Sequence, residues 1–229
     1  MASFLFDLDG TLAPNGKQID SKFGDWFKDF QDTHDTYLVT GTSHTSAIVQ
    51  LGSDILNKFK IVFTACGNEV RRNGKLEYES TWKAPKELED EINLLLKQSK
   101  CPTKTGTHYQ QRTGMVSFST VGRGAFESER AEYIAYDKAS GERESMQVRL
   151  GAMFPDFDVT IAGDLGLDVY PRGNSKAQVV KWIENKPLIF YGDNTRPGGN
   201  DFPLACVADL THQVDDWQHT WELLRLINP

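Results

Sequence analysis

Phe4-Leu5-Phe6-Asp7-Leu8-Asp9-Gly10-Thr11-Leu12 is the stretch whose reading decides the fold. Three apolar residues form a buried strand, and the Asp-Gly turn breaks it. Alternate residues of an extended segment point the same way, which predicts that Asp7 and Asp9 face one small volume. Two carboxylates that close need a cation or a shared proton, and an oxygen-rich setting suits Mg²⁺. Such a site can attack phosphorus with Asp7, use Asp9 as acid and base, and neutralise developing charge with the metal. Asp-Gly alone is a common turn. An apolar run leading directly into Asp-Leu-Asp-Gly-Thr favours catalysis.

Outward from this stretch, apolar runs and helical spacings alternate. Ser21 to Gln31 places Phe23, Trp26, Phe27 and Phe30 at helical spacing, and Tyr37-Leu38-Val39 is a short strand ending in Thr40-Gly41-Thr42-Ser43. A helix with Ala47, Ile48 and Leu51 inward follows, then the strand Ile61-Val62-Phe63 and a hairpin turning at Asn73-Gly74. The rhythm changes near Trp82. A helix led by Pro85 carries Leu88, Ile92, Leu95 and Leu96. Strand sequence covers Thr107 to Val121, one long polar helix covers much of Ser128 to Phe154, and two strands lie at 158–161 and 167–170. Alternation resumes with a helix from Lys176 to Ile183, the strand Leu188-Ile189-Phe190-Tyr191 and a closing helix from Trp217 to Ile227. The expected class is α/β: a Rossmann-like parallel-sheet core of residues 1–81 and 174–229, with an α+β cap, 82–173, inserted.

Composition narrows the function classes. A formal net charge of −7 speaks against broad nucleic-acid binding, so positive charge for a phosphate must be concentrated locally. Cys66, Cys101 and Cys206 show no paired spacing, which fits reduced thiols. His34, His44, His108, His212 and His219 lack metal-ligand spacing, so zinc is not expected. With the aspartate motif reached by residue 7 and no apolar run near the roughly 20 residues that span a bilayer, a cytoplasmic protein without membrane partners is expected.

Active sites of open α/β sheets gather beyond the C-terminal ends of strands, where Asp7, Asp9, Thr40 to Thr42 and Asp193 all fall. Thr40 and Thr42 can hold a phosphoryl oxygen, and can equally cap the helix that follows. Lys176 opens a helix, a place that favours an anion, and can reach both a phosphate and Asp7. Asp193 would complete a Mg²⁺ shell. Asp201, in Gly198-Gly199-Asn200-Asp201, is open to two roles: a metal ligand, direct or through water, and a partner for Lys176. Arg112, Arg123 and Arg130 can together hold a phosphate dianion remote from the nucleophile. Asp168 either hydrogen-bonds a sugar hydroxyl or is a structural carboxylate.

With these motifs in order, the chain resembles the haloacid dehalogenase superfamily of phosphoryl-transfer enzymes, and within it the eukaryotic-type phosphomannomutases. The resemblance rests on FDLDGTLAP, VTGTSHTSAIVQLG, QRTGMVSFSTVGR followed by SER, LDVYPRGNSK and YGDNTRPGGNDF. It implies interconversion of mannose 6-phosphate and mannose 1-phosphate. Asp7 would become an aspartyl phosphate, Asp9 would be the acid/base, and Mg²⁺ would be held by Asp7, Asp9 and Asp193. Thr42 and Lys176 would stabilise the transferring group, and Arg112, Arg123 and Arg130 the phosphate that is not reacting. A hexose 1,6-bisphosphate would be both intermediate and activator, and a homodimer would form through the cap. Gly16 stands where the family usually has an arginine, Gly166 where it has a serine, and Asn174-Ser175 where it has an aromatic–acid pair. Thr40 matches instead the Thr-Gly of sugar-phosphate phosphatases. A Mg²⁺-dependent sugar-phosphate phosphatase is accordingly the alternative, sharing every core residue. A non-catalytic binding protein is disfavoured by the intact set Asp7, Asp9, Lys176 and Asp193.

Overall fold

A computed structural model describes residues 2–227. They group into two compact units: one runs to Ser80 and resumes at Asn174, and the other is Thr81–Gly173. Strands and helices are numbered along the whole chain.

The first unit is built on a seven-stranded sheet. Its strands are β1 (Ser3–Phe6), β2 (Asp35–Val39), β3 (Ile61–Thr64), β4 (Glu69–Arg72), β5 (Lys75–Glu79), β10 (Leu188–Gly192) and β11 (Leu210–Gln213). The spatial order is β11-β10-β1-β2-β3-β4-β5. The first five of these run parallel. The edge hairpin β4–β5 is antiparallel and turns where Asn73 and Gly74 both take positive φ, at 51° and 73°. That is the backbone a two-residue hairpin turn demands.

Strand side chains divide by parity. Phe4, Phe6, Leu38 and Tyr191 join one core with Phe23, Phe27 and Phe30 of α1 (Ser21–Thr33), Ala47 and Leu51 of α2 (His44–Leu56), and Leu224 of α7 (Trp217–Ile227). Leu5, Val39, Phe63 and Phe190 join the other with Val179 and with Leu204 of the one-turn helix α6 (Phe202–Ala205). A parallel sheet covered on both faces is why its strands read as continuous apolar runs. In α1, Asp20 caps the first turn by accepting from the Lys22 and Phe23 N–H groups at 3.0 and 3.1 Å.

Three local expectations need correction. In α2 the buried residues are Ala47, Gln50, Leu51, Ile55 and Leu56, while Ile48 is exposed. Positions three and four beyond Ala47 share its face, so Gln50 takes the inward place expected of Ile48. The segment Lys176–Trp182 is a 3₁₀ helix, not an α-helix. The long helix expected within 128–154 is two helices, α4 (Glu127–Ser140) and α5 (Glu142–Met153), separated by Gly141 at φ 64°. Glycine in that left-handed conformation ends an α-helix.

The second unit carries a four-stranded antiparallel sheet in the order β6-β7-β9-β8, from β6 (Thr107–Arg112), β7 (Met115–Arg123), β8 (Phe157–Ala162) and β9 (Gly166–Pro171). One face packs Val116, Phe118, Leu167 and Val169 against Leu88, Ile92 and Leu95 of α3 (Lys86–Gln98) and against Met146 and Leu150 of α5. The opposite face carries polar residues beside Met115 and Tyr170. Across it the register aligns Gln110 with Ser117, Ser117 with Asp168 and Asp168 with Thr160.

Candidate active site

The acid cluster of the first unit follows from sheet geometry. β1 and β10 are parallel neighbours with Phe6 beside Tyr191, and the Asp7 N–H donates to the Tyr191 carbonyl at 3.0 Å. Asp7 keeps the parity of Leu5 and so emerges on the side of the Lys176–Trp182 turn and α6. Carboxylate oxygens of Asp7, Asp193 and Asp201 lie within 4.8 Å of one another. Lys176 Nζ donates to Asp7 Oδ1 at 2.5 Å and to Asp201 Oδ1 at 2.6 Å. Lys176 and Asp201 have no solvent exposure, and Asp7 is also buried.

Two glycines allow this closeness. A Cβ on Gly10, which has φ +80°, would stand 2.5 Å from Asp193 Oδ2. A Cβ on Gly192 would stand 2.7 Å from Asp201 Oδ2. The same Asp201 oxygen accepts from the Asn194 N–H at 3.1 Å.

Burial pushes the Asp7 carboxyl well above its ordinary value, against the pull of Lys176, and the nearby Asp201 and Asp193 add to the push. Burial alone would favour a neutral Lys176, but Asp201 and Asp7 outweigh it and hold the ammonium well above its usual range. Three carboxyl groups thus cluster where one ammonium bonds two of them, and an additional cation is the natural complement of their excess charge.

Lys176 is held by its own segment. Asn174 Nδ2 donates to Asn68 Oδ1 at 3.2 Å, and Gln178 Nε2 to the Cys66 carbonyl at 3.0 Å and the Asn174 carbonyl at 3.1 Å. These bonds strap the 3₁₀ turn to the Ala65–Gly67 turn beyond β3. That turn also braces the threonine loop, because the Cys66 and Ala65 N–H groups donate to the Thr40 and Thr42 carbonyls at 2.9 and 3.0 Å. Thr40 Oγ1 accepts the Thr42 N–H at 3.1 Å, and the cap of α2 is Ser43, which accepts the Ser46 N–H at 3.2 Å. Neither threonine caps the helix.

Asp9 stands outside the group Asp7, Asp193 and Asp201. Its Oδ1 accepts the Gly16 N–H at 2.7 Å. With the Gln50 amide turned so that its nitrogen faces the acceptors, Nε2 donates to Asp9 Oδ1 at 3.1 Å and to the Lys17 carbonyl at 3.3 Å. The alternation argument for Asp7 and Asp9 fails because the extended segment ends at Phe6, and the backbone bends at Leu8. The Asp9 carboxylate is therefore not among the clustered oxygens of Asp7, Asp193 and Asp201. Gln50 and Gly16 were not foreseen. The available signal was a polar residue on the inward face of α2, three positions from Ala47.

In the second unit Arg123 donates from Nη2 to Ser117 Oγ at 2.9 Å, and Arg112 from Nε to Gln110 Oε1 at 3.1 Å. The two arginines leave opposite ends of the β6–β7 ladder, yet both lean back to the paired residues Gln110 and Ser117. Asp168, buried, is the cross-strand neighbour of Ser117 on the next strand. Arg130 lies near the start of α4, half-buried.

The sequence profile of the family described as eukaryotic phosphomannomutase matches residues 23–227. The chain belongs to the eukaryotic phosphomannomutase family. Family relatives include the phosphomannomutase of Dendrobium officinale, 32% identical over 209 residues that cover 87% of this chain and 83% of that one. The phosphomannomutase of Spinacia oleracea is 32% identical over 226 residues, covering 94% and 91%. A haloacid dehalogenase-like hydrolase from Bacteroides thetaiotaomicron superposes with a TM-score of 0.59 at 16% identity, covering 99% of both chains. That likeness gives this phosphomannomutase-family member the haloacid dehalogenase fold: a parallel-sheet core and a separate antiparallel sheet of the cap type. Among the described residues no helix is long and apolar enough to cross a membrane.

Proposed function

We propose that the chain is a phosphomannomutase that interconverts mannose 6-phosphate and mannose 1-phosphate through an aspartyl phosphate on Asp7. The observation that carries the reading is the fully buried Lys176, bonded at once to Asp7 and Asp201. A buried ammonium so placed opposes the proton that burial favours on Asp7 and fixes the carboxyl for in-line attack, which favours positioning over reorganisation. Asp7 attacks a phosphorus of the hexose 1,6-bisphosphate, the bond from phosphorus to the sugar oxygen breaks, and Asp9 gives that oxygen its proton, which leaves a hexose monophosphate. In the other half-reaction Asp9 takes the proton from the free hydroxyl of a hexose monophosphate, whose oxygen receives the phosphoryl group from Asp7 and regenerates the bisphosphate.

The all-oxygen set of Asp7, Asp193 and Asp201 fits Mg²⁺, and Asp201, whose oxygens also accept from Lys176 and Asn194, would hold it directly or through water. Bound there, Mg²⁺ would neutralise charge on the transferring phosphoryl group. Thr40 and Thr42 would face that group. Arg112, Arg123 and Arg130 would bind the phosphate that is not reacting, and Asp168 a sugar hydroxyl. A hexose 1,6-bisphosphate is the intermediate and the activator, the setting is cytoplasmic, and the second unit is the cap and the dimer face.

The test is to supply mannose 1-phosphate, Mg²⁺ and a trace of hexose 1,6-bisphosphate and to follow the products by phosphorus NMR. Accumulation of mannose 6-phosphate is expected. Release of free phosphate instead would assign the chain to sugar-phosphate hydrolysis.

A further inference from the structure

We propose that Gln50 is the positioning residue of Asp9: its amide, together with the Gly16 N–H, fixes the carboxylate that carries the proton. The inference rests on the proposed mutase chemistry, in which Asp9 is the acid and base.

Gln50 is a buried polar side chain on the inward face of α2, at a place where apolar residues flank it in sequence and in space. A buried amide needs partners, and this one finds them in a single short loop. Nε2 reaches Asp9 Oδ1 and the Lys17 carbonyl, and the Gln50 backbone carbonyl accepts the Ile19 N–H at 2.9 Å. The loop itself is closed at its start, where the Gly10 N–H donates to the Ala13 carbonyl at 2.8 Å. Gln50 therefore ties one helix to both ends of the acid-bearing loop. The Gly16 and Gln50 donors to Asp9 fall on the same oxygen, Oδ1. That division leaves Oδ2 as the oxygen that exchanges the proton, with its direction set by the tethered partner.

The chemistry predicts a selective defect. Breaking a sugar–phosphate bond, or making one, requires a proton to move at the sugar oxygen, and Asp9 must be correctly placed for it. Acetyl phosphate has a leaving group that departs without a proton, so its transfer to Asp7 does not use Asp9. Gln50→Leu removes the donor while keeping the volume. Mutase kcat should fall about tenfold to hundredfold, the scale at which a misplaced catalytic group is felt. KM should be unchanged, and phosphorylation of Asp7 by acetyl phosphate should stay within about twofold of wild type. Gln50→Glu, which sets a carboxylate against Asp9, should show the same split. Melting temperatures of both variants establish that they are folded.

A loss confined to the mutase reaction upholds the inference. Equal losses in both reactions, or wild-type mutase turnover in both variants, overturn it while leaving the proposed function standing. Absence of mutase turnover in the wild-type protein itself takes down both.

Discussion

Lys176 and Arg123 are two cations to which the proposed function gives phosphate chemistry, and the fold treats them in opposite ways. Lys176 has no solvent exposure and holds two carboxylates of the first unit. Arg123 is exposed and meets a serine hydroxyl on the polar face of the second. A buried charge cannot lose its partners without leaving them unpaired in a low-dielectric interior, whereas an exposed guanidinium can be removed at little cost to folding. Under the proposed function the chemical step is thus welded into the packing of one unit, and recognition is hung on the strands of the other. Substitutions should separate along that line.

The largest effect falls on Lys176. Lys176→Met leaves Asp7 and Asp201 buried without their cation, so about 3–5 kcal/mol of stability should be lost, read by urea unfolding. Turnover should vanish with it. Unchanged stability would break the contrast between the two cations.

Asp7→Asn should lower turnover by at least about a thousandfold, because the attacking oxygen is gone. Stability should move by less than about 1 kcal/mol, since Lys176 keeps Asp201 and burial already disfavours the charged form of Asp7. A large loss of stability here would mean that Asp7, not Asp201, anchors the lysine.

Arg123→Ala should reduce mutase turnover by about tenfold to hundredfold, while hydrolysis of a small phosphate ester changes by less than about threefold and the melting temperature hardly moves. Equal losses in the two assays would remove the argument that this arginine reads a second phosphate.

The smallest effect is a pH dependence of Mg²⁺ binding. Burial raises the Asp7 pKa, so the apo carboxyl keeps its proton at pH values where an ordinary carboxylate has lost it. Cation binding must release that proton. Affinity should therefore weaken as pH falls through the raised pKa, by at most about tenfold per pH unit for one proton. Calorimetry in buffers of different ionisation enthalpy measures the release. No proton release at any pH would place the cation away from Asp7.

Much of the first unit was legible because its strands are buried on both faces and read as unbroken apolar runs. Asn73-Gly74 was legible because its turn needs two positive φ values. The edge strand β11 was not, since Leu210, Thr211, His212 and Gln213 are half-polar and only partly covered. The break at Gly141 was visible as a residue but hidden by the polar helical sequence on either side. In the site, Asp193 and Asp201 could be ordered along the chain. Lys176 was read as reaching Asp7, and Asp201 as one of its possible partners; that both bonds form at once depends on the 3₁₀ turn and on Asn174 and Gln178, which no local pattern encodes. The orientation of Asp9 was misread for a related reason. Period-2 reasoning holds only while the backbone stays extended, and β1 ends one residue before Asp7.

The most direct measurement is to quench the enzyme in acid during turnover of mannose 1-phosphate, reduce it with borohydride and map the peptides by mass spectrometry. Reduction converts an aspartyl phosphate to homoserine. Homoserine at position 7, absent from the Asp7→Asn variant, is the predicted result. Steady turnover with residue 7 still aspartate, or homoserine at Asp9, Asp193 or Asp201, would contradict the account.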